Sequence, residues 1–168
     1  MMRARVRTRI GDVFSVRISE QSWKYFQYVA NDLSQLNADV IRAFTRSYSI
    51  DDARDMSMIV KDEVAFYAHV VIPWGIKMGL WEKVGGVPET GDLRVLFRGT
   101  NDYGCKVGEI PVAISHNWYV WHIGEEFRRV GRLEGENRKA EIGIVVTPMD
   151  VVTRMRTGKY TFVYPGFE

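Results

Sequence analysis

The sequence predicts a single α+β domain: a β-rich, strongly bent antiparallel sheet or partly open barrel of about seven to eight short strands with two to three helices. Three observations lead there. Short runs with apolar side chains at every second position recur along the chain, separated by Gly, Asn, Asp and Pro. The regular strand and helix alternation of a doubly wound sheet is missing. The 168 residues, 46% apolar and 26% charged, have the composition of a globular domain, long enough to bury about two-thirds of the unfolded surface. One domain over 1–168 is the expectation, with 1–10 as a basic arm or edge strand.

In that first segment Arg3, Arg5, Arg7 and Arg9 alternate with Ala4, Val6, Thr8 and Ile10, so extended backbone puts all four guanidinium groups on one side. Over 12–18, Phe14, Val16 and Ile18 alternate with Val13, Ser15 and Arg17, a half-buried strand; 23–30 repeats the pattern. The polar link Ser19–Ser22 makes the two a hairpin. A third strand is expected over 39–45. Ser49 and Asp52 resemble a capping box, and Ala53, Met56 and Val60 follow at helical spacing, so a helix is expected to run from there to Lys61.

Residues 64–72, VAFYAHVVI, are β-branched and aromatic, are stopped by Pro73, and read as a buried strand. A glycine-punctuated segment over 75–84 and a loop at Gly85, Gly86, Pro88 and Gly91 follow. Strands are expected at 93–98 and 116–123, separated by the turn GTNDYG at 99–104, a natural binding loop. GRLEGENRKAE at 131–141 reads as an exposed loop whose Arg132, Arg138 and Lys139 suit an acidic partner. The clearest helix begins at the cap Thr147, with Pro148 at its first position and Asp150 in its first turn, and ends at Gly158. A terminal strand is expected over 160–164.

The net charge of +2, from 23 Lys plus Arg against 21 Asp plus Glu, supplies no global field for nucleic acid or an anionic membrane. Cys105 is the sole cysteine, so no intramolecular disulfide can form; the cytoplasm is the expected compartment. No secretory h-region and no apolar run of about 18 residues occurs, so no membrane partner is expected.

Candidate chemistry centres on the three histidines. His116 and His122 stand six positions apart on one strand, roughly 20 Å if the strand is regular, whereas zinc ligands lie about 2 Å from the ion. His69 added to either gives two imidazoles, so a divalent metal would need carboxylates such as Asp102, Glu125 or Glu126, and no ligand motif marks one. No G-x-S-x-G elbow or phosphate loop is present. Glu82, Asp92, Asp102, Glu109, Glu125, Glu126, Glu134, Glu136 and Glu141 fall mostly in charge-rich turns, where a solvated surface is the simple explanation. Trp118 and Trp121 face opposite ways on the strand NWYVW; one is expected in the core and the other against a pocket, with Trp118 favoured for the pocket because it shares its face with both histidines.

The segments GDVFSVRIS (11–19), KYFQYVANDLSQLNADVIRAF (24–44), DEVAFYAHV (62–70), LWEKVG (80–85), TNDYG (100–104), SHNWYVW (115–121) and LEGENRKAEIGIVV (133–146) resemble the small bacterial proteins grouped as the immunity protein 26 and coroxon-hydrolysing phosphotriesterase family. The resemblance spans nearly the whole chain and its length. One branch implies hydrolysis of organophosphate triesters to a dialkyl phosphate and an alcohol or phenol. Hydrolysis is the expected function, because the quoted strings are nearest that branch; the alternative is a non-catalytic cytoplasmic immunity protein that binds and neutralises a toxin. The resemblance puts no catalytic motif on particular positions. For the enzyme, the residues themselves nominate His116, Asp102 and His69 for water activation or metal contact, and Trp118, Tyr119 and Tyr103 for the substrate pocket.

Overall fold

The computed structural model describes residues 5–168. It contains eleven strands in two mixed sheets and three α-helices, without a closed barrel. Strands β1 (Asp12–Arg17), β2 (Ser22–Asp32), β3 (Ala38–Phe44), β4 (Tyr48–Ser49), β5 (Val64–Val70), β6 (Glu82–Gly86) and β11 (Val145–Val146) make the larger sheet, in the order β11-β5-β3-β2-β1-β6 with β4 paired to β2. Strands β7 (Leu96–Thr100), β8 (Trp118–His122), β9 (Arg128–Gly131) and β10 (Glu141–Ile142) make the smaller one, in the order β10-β7-β8-β9. Pairing is antiparallel except for β11 on β5 and β10 on β7.

The expected hairpin forms, with Phe14 opposite Phe26 and Val16 opposite Lys24. Its alternation has a cause on both sides, because the larger sheet is buried on two faces. Phe14, Val16, Phe26, Ile41, Phe66 and Ala68 point to one face, beneath helices α2 (Ile72–Lys77) and α3 (Pro148–Thr157). Residues of opposite parity point to the other: Val13, Tyr25 and Phe44 meet helix α1 (Met56–Ile59), and Val29 and Val40 meet Phe97 and Trp121 of the smaller sheet. A bulge between Tyr28 and Ala30 reverses the parity of β2, so that Ala30 and Asp32 join Val29 on the side of the smaller sheet, and a second lies between Ala43 and Phe44.

Several elements differ from the sequence expectation. Ser49 ends β4, and Asp52 accepts from its backbone N–H at 2.8 Å; the true cap of α1 is Asp55, and the helix spans only 56–59. Pro73 opens α2, a helix inside the stretch read as glycine-punctuated. Gly85 and Gly86 belong to β6, and the loop runs over 87–95, because the strand expected over 93–98 begins only at Leu96. That loop is pinned by buried polar side chains: Gln27 Nε2 donates to the carbonyls of Val87 and Glu89 at 3.0 and 2.9 Å, while its Oε1 accepts from Arg42 Nε at 2.9 Å. The 131–141 stretch begins at the end of β9 and holds a 3-10 helix over Gly135–Lys139. Residues 160–164 form no strand; Tyr160 and Phe162 instead stack, and Tyr164 meets Phe162 edge-on. Residues 5–9 form no strand either, and Arg3 lies outside the described residues.

Helix α3 follows its sequence signals. Thr147 Oγ1 accepts from Asp150 N at 3.1 Å, and Gly158 takes φ 85°, a left-handed turn that closes the helix onto Arg154 O. No helix among the described residues is long and apolar enough to cross a membrane.

Candidate functional site

Three of the nominated residues come together where β7 hands over to the long loop 101–117. Thr100 ends β7 with its hydroxyl 2.8 Å from Ser115 Oγ, and Ser115 Oγ donates to Asp102 Oδ2 at 2.7 Å. Asn117 Nδ2 adds a second donor to the same oxygen at 3.1 Å. These bonds, with a smaller contribution from the field of His116, hold the Asp102 carboxyl below the usual carboxylate range. The carboxylate is therefore ionised and partly open to solvent, with the exposed His116 beside it. Tyr103 packs at the same corner, its ring 4.9 Å from Tyr164.

Of the other three nominees, one lies beneath this corner and two lie elsewhere. Trp118 is 1% exposed, donates Nε1–H to Ser115 O at 2.9 Å and packs on Tyr164 and Phe167, so it is the floor under the corner. Trp121 is buried on the opposite face. The expectation that one of these tryptophans lines a pocket is corrected: both are core, because the smaller sheet is covered on both sides. Tyr119 shares the face of Trp121 and stacks on it at 5.8 Å.

His69 is fully buried on β5 and bonds Asp32 Oδ2 through Nε2 at 2.9 Å. Asp32 also accepts from Trp121 Nε1 at 2.9 Å and from Gly124 N at 3.1 Å. His122 sits apart again, its Nδ1 3.1 Å from Val95 O. Among the described residues no three His, Cys, Asp or Glu side chains are grouped to hold a metal ion, and the Asp102 corner offers one imidazole and one carboxylate already bonded to Ser115 and Asn117.

Two features of function were not legible in the sequence. The first is Glu141, placed by its sequence among solvated carboxylates. It lines two cavities, one of about 480 Å³ with Tyr67, His122, Arg128 and Lys139, the other of about 280 Å³ with Arg98, Arg154 and Tyr160. Burial pushes its carboxyl up against the pull of Arg154, 3.5 Å away. Its setting between Ala140 and Ile142, in the apolar run AEIGIVV, was the available signal.

The second is the outer surface of loop 101–117. Val107 is fully exposed and Ile110 92% exposed, with Val112 and Ile114 also in solvent. The end of the loop is anchored, since Gly166 N donates to Ala113 O at 2.8 Å and Ser115 N to Gly166 O at 3.0 Å. A cavity of about 130 Å³ lined by Ser115, His116, Arg132 and Arg138 lies between the end of this loop and the 128–139 stretch.

Comparison of the chain with protein-family models, curated proteins and solved structures found no match.

Proposed function

We propose that this chain is a protein-binding domain that captures a protein toxin in the cytoplasm, the role implied by the immunity branch of the family it resembles. The observation that carries the reading is the display of Val107, Ile110, Val112 and Ile114 on a loop fixed at its base. Neighbouring exposed aliphatic side chains gain most from burial against a partner, at about 25 cal/mol per Å² of apolar surface. The adjoining stretch 128–139 carries Arg128, Arg129, Arg132, Arg138 and Lys139 against Glu134 and Glu136, so the complementary surface is acidic around an apolar centre.

A second reading, hydrolysis of organophosphate triesters, draws on the ionised Asp102 beside His116, a carboxylate and an imidazole from which water activation can be built. Against it stands the shape of the corner, whose tryptophan is sealed beneath it and so cannot line a pocket for a neutral triester.

One experiment separates the two. Cells expressing members of a panel of bacterial intracellular protein toxins are scored for rescue by the wild type, by the double variant Val107→Asp with Ile110→Asp, and by Asp102→Asn and His116→Ala. Binding predicts that only the loop variant loses rescue. Turnover of a chromogenic triester by purified protein, lost in Asp102→Asn and kept in the loop variant, would assign hydrolysis instead.

A further inference from the structure

On the side of Glu141 away from the larger cleft, the chain folds three cations and three aromatic rings around one carboxylate. Arg98 comes from β7, Arg154 from the last turns of α3, and Lys159 from just beyond its Gly158 cap. Tyr160, Phe162 and Tyr164 follow on the segment that returns across the smaller sheet, and the first two stack at 4.7 Å with 24° between their planes. The resulting cavity holds about 280 Å³.

Charge in this cavity is not balanced. Glu141 is its only carboxylate, and it reaches Arg154 Nη1 at 3.5 Å, beyond hydrogen-bond length. Arg98 donates Nη1 to the Ala140 carbonyl, while its buried Nε has no partner among the described residues. A guanidinium has five donors in a rigid fork, matched in geometry to carboxylate and phosphate oxygens. Both guanidinium groups are oriented before any ligand arrives: Arg154 lies 4.2 Å over the Phe66 ring and 4.7 Å over Tyr160, and Arg98 lies 5.1 Å over Phe167 and 5.6 Å over Trp118. Little side-chain ordering is left for binding to impose.

We propose that the cavity walled by Arg98, Arg154, Lys159, Tyr160, Phe162 and Tyr164 is a binding site for a small oxyanion carried on a planar ring, of the aryl phosphate or aromatic carboxylate class. The guanidinium groups take the oxyanion and the tyrosine and phenylalanine rings take the planar part. Tyr160, whose phenol is pushed up to about 12 by burial, stays protonated and offers an O–H donor. A bound anion brings a second negative charge beside Glu141, so occupancy draws a proton onto that carboxyl, which burial already biases towards the neutral form. The site shares no residue with the apolar loop surface and stands independently of toxin capture.

The test is titration calorimetry at low salt with phenyl phosphate, benzoate, inorganic phosphate and phenol, repeated in buffers of different ionisation enthalpy. Phenyl phosphate or benzoate should bind one per chain with proton uptake, more tightly than inorganic phosphate, and phenol should not bind; the tighter of the two identifies the oxyanion. Glu141→Gln should bind more tightly and abolish the uptake, a result that a purely structural glutamate would not give. Lys159→Ala, at an exposed position, should weaken binding by up to about fivefold without affecting the fold. Failure of all three anions to bind both wild type and Glu141→Gln would overturn the site. Phenol binding as well as phenyl phosphate would overturn anion recognition, and equal affinity for inorganic phosphate would overturn the aromatic part.

Discussion

Asp32 and His69 meet Oδ2 to Nε2 at 2.9 Å with neither side chain reaching solvent, and this contact joins the two sheets' shared core. His69 Nε2–H donates to the carboxylate, and His69 Nδ1 has no partner among the described residues, as befits a neutral ring whose second nitrogen carries no proton. Protonating it would bury an unsatisfied N–H, and burial accordingly holds the His69 pKa below its ordinary value even though Asp32 pulls it upward. On the other side Asp32 accepts the Trp121 indole N–H, so one carboxylate links β2, β5 and β8.

Asp32→Ala should therefore cost about 3–5 kcal/mol, because His69, Trp121 and the Gly124 amide all lose their acceptor in a region closed to water. Asp32→Asn should cost less, since one amide oxygen can still serve one donor. Denaturant unfolding of the two variants, followed by tryptophan fluorescence, checks both.

The same pair sets an acid limit. The folded state disfavours His69 protonation, so as pH falls below the ordinary value of 6.5 the unfolded chain takes up the proton first and stability declines. Asp32, whose carboxyl the His69, Trp121 and Gly124 bonds hold below 3.8 against its burial, adds a second loss as pH falls through the carboxylate range. Glu141 acts in the opposite sense: its raised pKa means the folded state holds a proton longer, and its destabilising effect appears as pH rises above 4.5. Melting temperatures across pH 4 to 8 should fall on the acid side in wild type, and Glu141→Gln should raise the neutral end of the curve.

Gly143 should not tolerate a side chain. A Cβ there would lie 2.1 Å from the Trp121 ring and 2.7 Å from Arg98 O, so Gly143→Ala must displace either the indole that bonds Asp32 or the backbone of β7. A loss of about 1–3 kcal/mol is expected, read from the thermal midpoint. The near-ultraviolet dichroism of Trp121 should change with it.

Val107→Asp combined with Ile110→Asp should leave the melting temperature within the range of neutral surface changes, about 0.5 kcal/mol, because neither side chain packs on the domain. A large loss would show that the loop is part of the folding unit and would remove the surface from consideration as an interface.

What could be read from the sequence was local. The 12–30 hairpin emerged from alternation, α3 from its caps and the buried strand from its β-branched and aromatic run, expected over 64–72 and ending at Val70 because Ile72 starts α2; such signals act over a few residues. The strands missed were short or two-sided: β11 is only Val145–Val146, and β6 carries two glycines, so neither shows a period. At the candidate corner, Asp102 and Tyr103 were legible in a turn marked by Gly, Asn and Asp, whereas His116 was read as the start of a strand and stands instead before β8, off the strand that carries His122. The partners of His69 and Glu141 come from distant strands and a terminal helix, and nothing in the spacing of Asp32 or Arg154 announces them.

The stretch 141–146 pairs first with β7 through Glu141 and Ile142 and then, after only Gly143 and Ile144, with β5 through Val145 and Val146. A nascent chain leaving the ribosome therefore holds both sheets' other strands before the short seam that joins them has been made. The contacts that pack the layers, Val29 and Val40 on Phe97 and Trp121, all precede it, so a ribosome stalled before residue 141 would display instead the unpaired backbone edges of β5 and β7, a template for pairing with another chain.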